Sequence, residues 1–391
     1  MVAGSRESRH SIAGMLSRTP VLAALRSEAI TVSLAAFIGS RLPIFLLATV
    51  FAGFIPVAAD RIPNFPDSFA LWDGGWYFEI ARDGYLWSGS FAEPSNLAFF
   101  PLYPFLGKFI AVALGGNTRF GLILASNLSF LAYLYLLHKL VSLDLDKAAA
   151  RRTVTYVSIF PMSLFFSVAY TESTLLALVT GAFYFARTDR WKLAVLLGSL
   201  ACITRAAGII VIFPLVYEYV RQKGLRPSIL SLASILTPLA AWAGYVWSKT
   251  GIPSGLMFTT SAWERADTPL WDTALSAVGV MFRQAKPYDQ AIVMMDTLIF
   301  FAFLFLTILV VCRLPRSYAL YAVPAFLFAT STTVAGYPLA SMSRYLLAVF
   351  PCFILLSVLG RNTLVHRCLV GTFTAFLGIV TMYFFGSYWI G

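Results

Sequence analysis

One stretch sets the organisation of this chain: Trp72-Asp73-Gly74-Gly75-Trp76-Tyr77-Phe78-Glu79-Ile80-Ala81-Arg82-Asp83-Gly84-Tyr85. It is rich in aromatic and charged side chains, whereas most of the chain consists of apolar runs. It belongs to residues 58–96, one of two long segments outside those runs. Chemistry that depends on water has few other places in such a chain. We therefore expect a catalytic site, if there is one, to begin in this stretch.

The composition defines the class of protein. The chain has 391 residues, of which 59% are hydrophobic and 12% charged, and its mean hydropathy is +0.77. These values are typical of a polytopic membrane protein and exclude the soluble globular classes. The formal charge of +11 comes from short basic clusters between apolar runs, a pattern that sets membrane topology and does not indicate nucleic-acid binding. The four cysteines lie in or beside apolar runs and predict neither disulfides nor a zinc site.

A helix needs roughly 17–25 apolar residues to span a bilayer. Twelve runs are candidates: 36–57, 97–115, 119–140, 153–170, 172–187, 191–205, 207–221, 228–248, 291–312, 317–335, 344–360 and 364–385. If all twelve crossed, every basic cluster after the third run would lie outside the cytoplasm. That arrangement contradicts the positive-inside rule.

Removing the run Leu97–Gly115 resolves the conflict, because Pro101, Pro104 and Lys108 interrupt it. We predict that it is an interfacial or re-entrant piece and that eleven transmembrane helices remain. The sequence thus predicts an all-α integral membrane domain over residues 1–391. Its parts are a cytoplasmic basic tail over 1–35, a first extracytoplasmic loop with juxtamembrane helices over 58–118, and a second such loop over 249–290.

Within the first loop, Asp67 or Ser68 can cap a short helical turn, and Gly74-Gly75 would break a continuous helix. A second helix is expected from Trp76 to about Arg82, with Gly84 in a left-handed cap and Asp83 as a turn former. Asp73 directly precedes that helix, whose free N–H groups favour an ionised carboxylate. One interpretation makes Asp73 a helix cap only, with Trp72, Trp76 and Tyr77 as interfacial aromatics. The other makes Asp73 catalytic and these aromatics substrate-binding residues.

Other charged residues fall at the predicted outer ends of helices. Arg205 and Arg344 are candidates to bind a phosphate through a guanidinium, although snorkelling to lipid head groups is the alternative. Glu172 lies in a tight outer corner, where it can pair with Arg205, position Asp73 or bind substrate hydroxyls, unless it is only a solvated loop acid. Arg41 is expected at the cytoplasmic start of the first helix, as an anchor or a packing ion pair. For Trp263, Glu264, Arg265, Trp271 and Asp272 in the second loop, packing is the preferred interpretation over sugar stacking.

Several blocks follow one another in the order of a known family. Trp-Asp-x-x-Trp-Tyr-x-x-Ile-Ala-x-x-Gly-Tyr from Trp72 is followed by Phe99-Phe100-Pro101-Leu102-Tyr103-Pro104 and by Ser126-Asn127-Leu128. Next come Pro161-x-Ser163-x-Phe165-Phe166-Ser167, Tyr170-Thr171-Glu172-Ser173 and Arg205-Ala206-Ala207-Gly208. Weaker counterparts are Gly251 to Arg265 and Ser343-Arg344-Tyr345. Together the blocks resemble the GPI mannosyltransferase 2 (PIG-V type) family over most of the chain.

The resemblance implies a GT-C glycosyltransferase that takes a sugar from a polyprenyl-phosphate carrier outside the cytoplasm. It also implies that Asp73 is the catalytic base. Trp76 stands where eukaryotic relatives often carry His, and Ala206-Ala207 replace polar residues beside Arg205. These departures concern the particular sugar and acceptor.

The residues themselves favour the same chemistry. A lipid phosphate leaves as an anion without a protonating acid, so one base suffices, whereas glycosidases commonly pair two carboxylates. With the sugar and the carrier that the resemblance implies, we expect an inverting mannosyltransferase that uses a polyprenyl-phosphate sugar donor and a glycolipid or glycan acceptor. No cofactor and no metal are expected, and the protein is expected in a bacterial plasma membrane with its active site outside. The alternatives are a transporter or flippase, which would carry charges near the bilayer midplane, and a non-catalytic subunit of a glycolipid assembly complex.

Overall fold

The computed structural model describes residues 27–54, 64–263, 266–281, 287–334 and 337–390. Over these ranges the protein is almost entirely helical. The α-helices are α1 Glu28–Phe54, α2 Asp73–Asp83, α3 Leu102–Ala113, α4 Thr118–Asp144, α5 Lys147–Ile159, α6 Glu172–Arg187, α7 Trp191–Cys202, α8 Ile212–Lys223, α9 Thr237–Thr250, α10 Gly255–Phe258, α11 Leu270–Val280, α12 Pro287–Arg313, α13 Arg316–Thr330, α14 Met342–Tyr345, α15 Pro351–Leu359 and α16 Thr363–Phe385.

Short 3₁₀ helices continue or join many of these helices. They are Asp67–Phe69, Asn96–Ala98, Pro161–Phe166, Ala206–Val211, Pro227–Leu236, Ser261–Trp263 and Leu346–Ala348. Two strands of two residues each, β1 Ala266–Asp267 and β2 Thr332–Thr333, pair antiparallel. They tie the second long loop to the chain that follows α13.

Among the described residues, five helical segments are long and apolar enough to cross a membrane: Glu28–Val50, Thr118–Asp144, Pro227–Thr250, Gln290–Arg313 and Thr363–Phe385. A sixth is possible if Met342–Ala348 and Pro351–Leu359, which meet at a bend of 87°, form one span. The protein is therefore an integral membrane protein. The predicted count of eleven crossings is not confirmed, because several predicted spans consist of shorter helices with 3₁₀ breaks.

Two boundaries differ from expectation in an instructive way. The first helix begins at Glu28, before the predicted start at 36, and Pro43 lies inside it. A proline is tolerated within a membrane helix because its neighbours can satisfy the freed backbone groups. The piece expected to be interfacial or re-entrant is α3, whose 12 residues are too few to span a bilayer. Its interfacial or re-entrant placement stays a prediction.

Close helix packing places the first loop against the helical bundle. At the crossing of α3 and α4, a Cβ on Gly121 would collide with the carbonyl oxygen of Gly107. Glycine at this position lets the two backbones touch. Tyr103 on α3 is fully buried, and its hydroxyl hydrogen-bonds the Leu122 carbonyl oxygen at 3.0 Å. The amphipathic loop is thereby fixed on the core and is not left free in solvent.

Candidate active site

Asp73 is the first residue of α2, and Trp72 before it has a positive φ of 55°. Gly74 and Gly75 form the first turn of this helix, so the prediction that they break it is wrong. The physical reason is packing, since a Cβ on Gly74 would lie 3.4 Å from the Ala169 carbonyl oxygen. Gly84 ends the helix with a φ of 87°. A strained backbone such as that of Trp72, directly before a polar side chain, is typical of functional sites.

The preceding turn also departs from expectation in detail. The 3₁₀ turn Asp67–Phe69 forms, but no side chain caps its start. Asp67 instead lies 3.2 Å from the guanidinium of Arg119. At the other end of α2, hydrogen bonds from Arg82 lower the pKa of the exposed Asp83 carboxyl. Asp83 is thus paired within the loop, as befits a turn former, and is not part of the candidate site.

Glu172 begins α6 directly after a non-helical strip, residues 167–171, that runs beside the first loop. The strip is buried and hydrogen-bonded on both sides. The Ala169 N–H donates to the Phe69 carbonyl oxygen at 2.8 Å, and the Ser126 hydroxyl donates to the Tyr170 carbonyl oxygen at 3.1 Å. Only 5% of the Glu172 side chain is exposed. A carboxylate so far from water needs cationic partners.

Arg344 provides one such partner from the far end of the sequence. It lies on the single turn α14, after Ser341, which has a φ of 65°. Asp296 on α12 fixes this turn, because its carboxylate accepts hydrogen bonds from the backbone N–H and from the hydroxyl of Ser343. The Arg344 side chain is 4% exposed. Its guanidinium also lies over the rings of Tyr170 and Tyr345, at 5.2 and 4.9 Å from their centroids.

Arg205 occupies the corner between α7 and the 3₁₀ helix Ala206–Val211, with an extended backbone. Its guanidinium lies 4.8 Å from the centre of the Tyr345 ring. At 26% exposure its side chain is more accessible than that of Arg344.

These four residues form a continuous chain of charges, which we call the open chain. Arg344 Nη1 lies 2.9 Å from Asp73 Oδ2, and Arg344 Nε lies 3.6 Å from Glu172 Oε1. Arg205 Nη1 lies 2.6 Å from the same Glu172 oxygen. The order is therefore Asp73, Arg344, Glu172, Arg205. Within the described residues, the buried oxygen Glu172 Oε2 has no hydrogen-bond partner.

Two cavities meet at the open chain. The larger, of about 500 Å³, is lined by polar residues, among them Asp267 and Thr332, and by a set of apolar side chains; we call it the apolar cavity after the latter. Besides Glu172, Arg205 and Arg344, its wall includes Leu175, Leu176, Ala207, Ala325, Phe328 and Ala329. The other, of about 300 Å³, is lined by Asp73, Tyr77, Phe99, Phe100, Trp263 and Trp389 together with the same three charged residues; we call it the aromatic cavity. Asp73 lines the aromatic cavity only.

The predicted aromatic residues have three different positions. Tyr77 lines the aromatic cavity, and burial raises the pKa of its phenol, which keeps it neutral. Trp76 stacks on Phe99, with 5.8 Å between ring centres, and Phe99 forms the wall. Trp72 lines neither cavity and is largely exposed. Substrate contact through Trp72 and Trp76 stays a prediction.

The second loop contributes Trp263, which contacts Trp76 and Phe99 and also lines the aromatic cavity. Trp263 therefore both packs against neighbouring rings and lines the cavity. Trp271 is exposed on α11. Glu264 and Arg265 lie outside the described residues.

Sequence reasoning missed Asp296 and misplaced Arg41. Asp296 was detectable as the single acid within the apolar run 291–312. Arg41 does not anchor a helix end, because α1 begins at Glu28 and places Arg41 at its middle, fully buried. The acceptors of its guanidinium hydrogen bonds are backbone carbonyl and serine oxygens, so the expected ion pair is also absent among the described contacts.

Comparison with known proteins supports the fold. No family model matches the sequence, and no curated protein matches it. Among solved structures, the chain is similar to ArnT from Cupriavidus metallidurans bound to undecaprenyl phosphate, with a TM-score of 0.50 and 14% identity, over 91% of this chain and 76% of that one.

Two structures from Archaeoglobus fulgidus are also similar. One is an oligosaccharyltransferase in complex with Zn and sulfate, with a TM-score of 0.42 and 12% identity, over 89% of this chain and 53% of that one. The other is the oligosaccharyltransferase AglB with an inhibitory peptide and a dolichol-phosphate, with a TM-score of 0.43 and 14% identity, over 92% of this chain and 56% of that one. At such identities the similarity concerns the fold. The similarity to ArnT confirms the expected all-α polytopic fold of the GT-C type, and membership of the GPI mannosyltransferase 2 family stays a prediction.

Proposed function

We propose that this protein is a membrane glycosyltransferase that moves a sugar from a polyprenyl-phosphate carrier to a hydroxyl group of a glycolipid or lipid-linked glycan. Mannose is the sugar we expect, and inversion at the anomeric carbon is the expected outcome. One observation carries the proposal: the open chain lies where an apolar cavity meets an aromatic cavity. A lipid-linked sugar has the same division into an apolar tail, a charged phosphate and a polar ring.

The donor fits the apolar cavity. Its hydrocarbon would lie against Leu175, Leu176 and Ala207, and its phosphate would lie at Arg205, which is the more exposed of the two arginines. A guanidinium can bind a phosphate bidentately and stabilise charge on the leaving oxygen. Arg344 borders the same space and adds positive charge. Its pairing with Asp73 assigns it a further task, which is to fix the base.

Asp73 fits the role of general base. Its side chain is 33% exposed, so that a substrate can reach the carboxylate, and Arg344 Nη1 holds its Oδ2 at 2.9 Å. In the reaction, an acceptor oxygen forms a bond to the anomeric carbon and the bond from that carbon to the phosphate oxygen breaks. The acceptor proton passes to Asp73, and polyprenyl phosphate leaves as an anion. A base of this kind contributes typically 10²–10⁴-fold to the rate.

The acceptor fits the aromatic cavity, because Asp73 lines this cavity alone. Aromatic faces such as those of Phe99 and Trp263 suit the apolar face of a sugar ring. Glu172 supports a sugar ligand as well, since its buried oxygen Oε2 has no hydrogen-bond partner among the described residues. A substrate hydroxyl would satisfy it, as a buried acceptor requires.

The test uses purified protein, radiolabelled polyprenyl-phosphate mannose and candidate glycolipid acceptors. We expect transfer by the wild type and a loss of about 100-fold or more in Asp73→Asn. Asp83→Asn is the matched control, because Asp83 ends the same helix, is exposed and pairs with Arg82. Equal transfer by wild type and Asp73→Asn would remove Asp73 as the base. No transfer by the wild type, together with donor movement across vesicle membranes, would favour a flippase.

The proposed location also follows from substrate chemistry. Nucleotide sugars are cytoplasmic, whereas a membrane-soluble carrier can present an activated sugar outside. We infer that the open chain faces the extracytoplasmic side of a bacterial plasma membrane, with the N-terminus in the cytoplasm. The basic clusters at the opposite helix ends support this orientation.

A further inference from the structure

We propose that Arg41 is a positioning residue of this site, although it does not contact the site. Arg41 holds the segment 160–171, and that segment in turn fixes the backbone next to both carboxylates of the open chain, Asp73 and Glu172. The inference rests on the proposed function, because it concerns the geometry of Asp73 and Glu172. It assigns a role to a buried charge that the transfer chemistry itself does not use.

The Arg41 side chain is enclosed at the middle of α1 and is 2% exposed. Its Nη1 donates to the Ser163 carbonyl oxygen at 2.6 Å and to the Ser167 hydroxyl at 3.1 Å. Its Nη2 donates to the Ser158 carbonyl oxygen and to the Ser163 hydroxyl, both at 2.8 Å. The guanidinium therefore joins both ends of the break in the chain after α5.

That break explains why a cation is needed. α5 ends at Ile159, and the 3₁₀ helix Pro161–Phe166 follows after Phe160, whose ψ of 143° is not helical. The last carbonyl groups of a helix lack intrahelical partners and form the negative end of its dipole. Arg41 supplies donors and positive charge to these carbonyls. A charge in the middle of a membrane helix is costly and is usually functional.

The same segment then reaches both carboxylates. The Ala169 N–H donates to the Phe69 carbonyl oxygen at 2.8 Å, and the Tyr170 hydroxyl donates to the Leu71 carbonyl oxygen at 3.3 Å. These bonds fix the backbone directly before Asp73. Glu172 follows the segment without a gap, so its backbone is fixed by the same contacts. Displacement of the segment would separate Asp73 and Glu172 from Arg344.

The first test compares two buried arginines. Arg187 at the end of α6 is the matched control, because it is also buried and multiply bonded but lies at the other end of that helix. We expect Arg41→Gln to lower kcat about 100-fold, as misplacement by about 1 Å can do, with the donor KM within about threefold of wild type. Arg187→Gln should lower the Tm at least as much as Arg41→Gln does, while kcat of the folded Arg187→Gln protein stays within about threefold of wild type. Equal kcat values for the two variants would overturn the proposal.

Conservative variants separate positioning from folding. Arg41→Lys keeps the charge but cannot bridge both sides of the break as a planar fork does. We expect it to fold and to recover kcat to within about tenfold of wild type. Ser40→Ala removes only the hydroxyl that accepts from Arg41 Nε and should leave kcat unchanged. A Lys variant with wild-type stability and no more activity than Arg41→Gln would contradict the proposal.

A readout without catalysis keeps this inference distinct from the proposed function. A Cβ at Gly74 would lie 3.6 Å from the Ala169 Cβ, which suits a disulfide. Paired Gly74→Cys and Ala169→Cys substitutions should cross-link rapidly when Arg41 is present and about tenfold more slowly in Arg41→Gln, as measured by mass spectrometry of the linked peptides. Equal rates would refute the positioning role. Absence of transfer by the wild type would refute the proposed function alone.

Discussion

The two ends of helix α6 carry the same types of charged residue in two different arrangements. At its start, Glu172 belongs to the open chain of Asp73, Arg344, Glu172 and Arg205. At its end, Arg187 belongs to a second chain of Asp144, Arg187, Glu218 and Arg221, which we call the closed chain. The two ends of this 16-residue helix are about 24 Å apart. Each chain alternates Asp, Arg, Glu and Arg.

In the closed chain, all four carboxylate oxygens have protein partners. Arg187 Nη1 lies 2.5 Å from Asp144 Oδ1, and the Tyr318 hydroxyl donates to Asp144 Oδ2 at 2.6 Å. Arg187 Nε lies 2.8 Å from Glu218 Oε1, and Arg221 Nη2 lies 2.7 Å from Glu218 Oε2. Four helices, α4, α6, α8 and α13, are thereby joined. Such an arrangement stabilises the fold and leaves no acceptor for a ligand.

The open chain differs in its surroundings and not in its charges. Two cavities border it, and Glu172 Oε2 has no partner among the described residues. Helix α13 shows the same contrast along its length: Tyr318 near its start closes one chain, whereas Ala325 and Phe328 near its end line the apolar cavity. An array of paired charges becomes a site only where some of its acceptors and donors face a cavity. Four predictions test this contrast.

The first concerns the side of the membrane and is an all-or-none effect. Cysteines introduced for the exposed residues Ser88 and Lys147 should be labelled from opposite sides of the membrane. Ser88 lies in the first loop, which carries Asp73 of the open chain, whereas Lys147 lies just after Asp144 of the closed chain. Labelling of right-side-out cells with a membrane-impermeant maleimide, with and without permeabilisation, measures this. Access to both from one side would refute the predicted topology.

The second compares the two glutamates. Glu172→Gln should lower kcat/KM about 100-fold, because an amide weakens the hold on two arginines and on a substrate hydroxyl. Glu218→Gln should leave kcat of the folded protein almost unchanged and reduce stability by about 3 kcal/mol, the cost of breaking a buried ion pair. Transfer assays and thermal unfolding of the same preparations decide between them. A large loss of kcat in Glu218→Gln would erase the distinction between the chains.

The third compares the terminal arginines. Arg205→Lys should raise the donor KM about tenfold, since a point charge replaces a bidentate fork at the phosphate. Arg221→Lys should change the KM by less than about twofold, because Arg221 is half exposed and pairs with Glu218 alone among the described acids. Initial rates at varied donor concentration test both variants. An unchanged KM in Arg205→Lys would assign the phosphate to another group.

The smallest expected effect is that of metal removal. Arg344 lies between Asp73 and Glu172, where its positive charge does what a bridging divalent cation would do. We expect EDTA to change transfer by less than about twofold. Loss of activity in EDTA that Mg²⁺ or Mn²⁺ restores would show that a metal takes part.

Much of the fold was predictable because hydropathy acts locally. The apolar runs, the short helix α3 and the juxtamembrane helix near Asp73 follow from which residues water or hydrocarbon tolerates. The charged residues of the open chain were predictable as single candidates for the same reason, since Glu172, Arg205 and Arg344 stand at the borders of apolar runs and Asp73 lies in a long segment outside them. Their types and positions along the chain indicated a polar site outside the hydrocarbon.

Details that depend on contacts were not predictable. Gly74 lies in the first turn of helix α2, where Ala169 packs against it, although glycine alone favours a break. Arg41 is buried at the middle of α1 because the break after α5 offers it carbonyl oxygens. Asp296 supports Arg344 through Ser343, across a distance of 47 residues in the sequence.

The sequence by itself determined that this chain lies in a membrane and that Asp73, Glu172, Arg205 and Arg344 are notable charges outside its apolar runs or at their ends. The tertiary structure decided that Asp73 and Arg344, 271 residues apart, form an ion pair, and that the open chain borders two cavities while the closed chain borders none of those described. The physical reason is that the hydropathy of neighbouring residues decides whether a segment lies in the membrane. The partners of a side chain, in contrast, depend on how helices distant in sequence pack together.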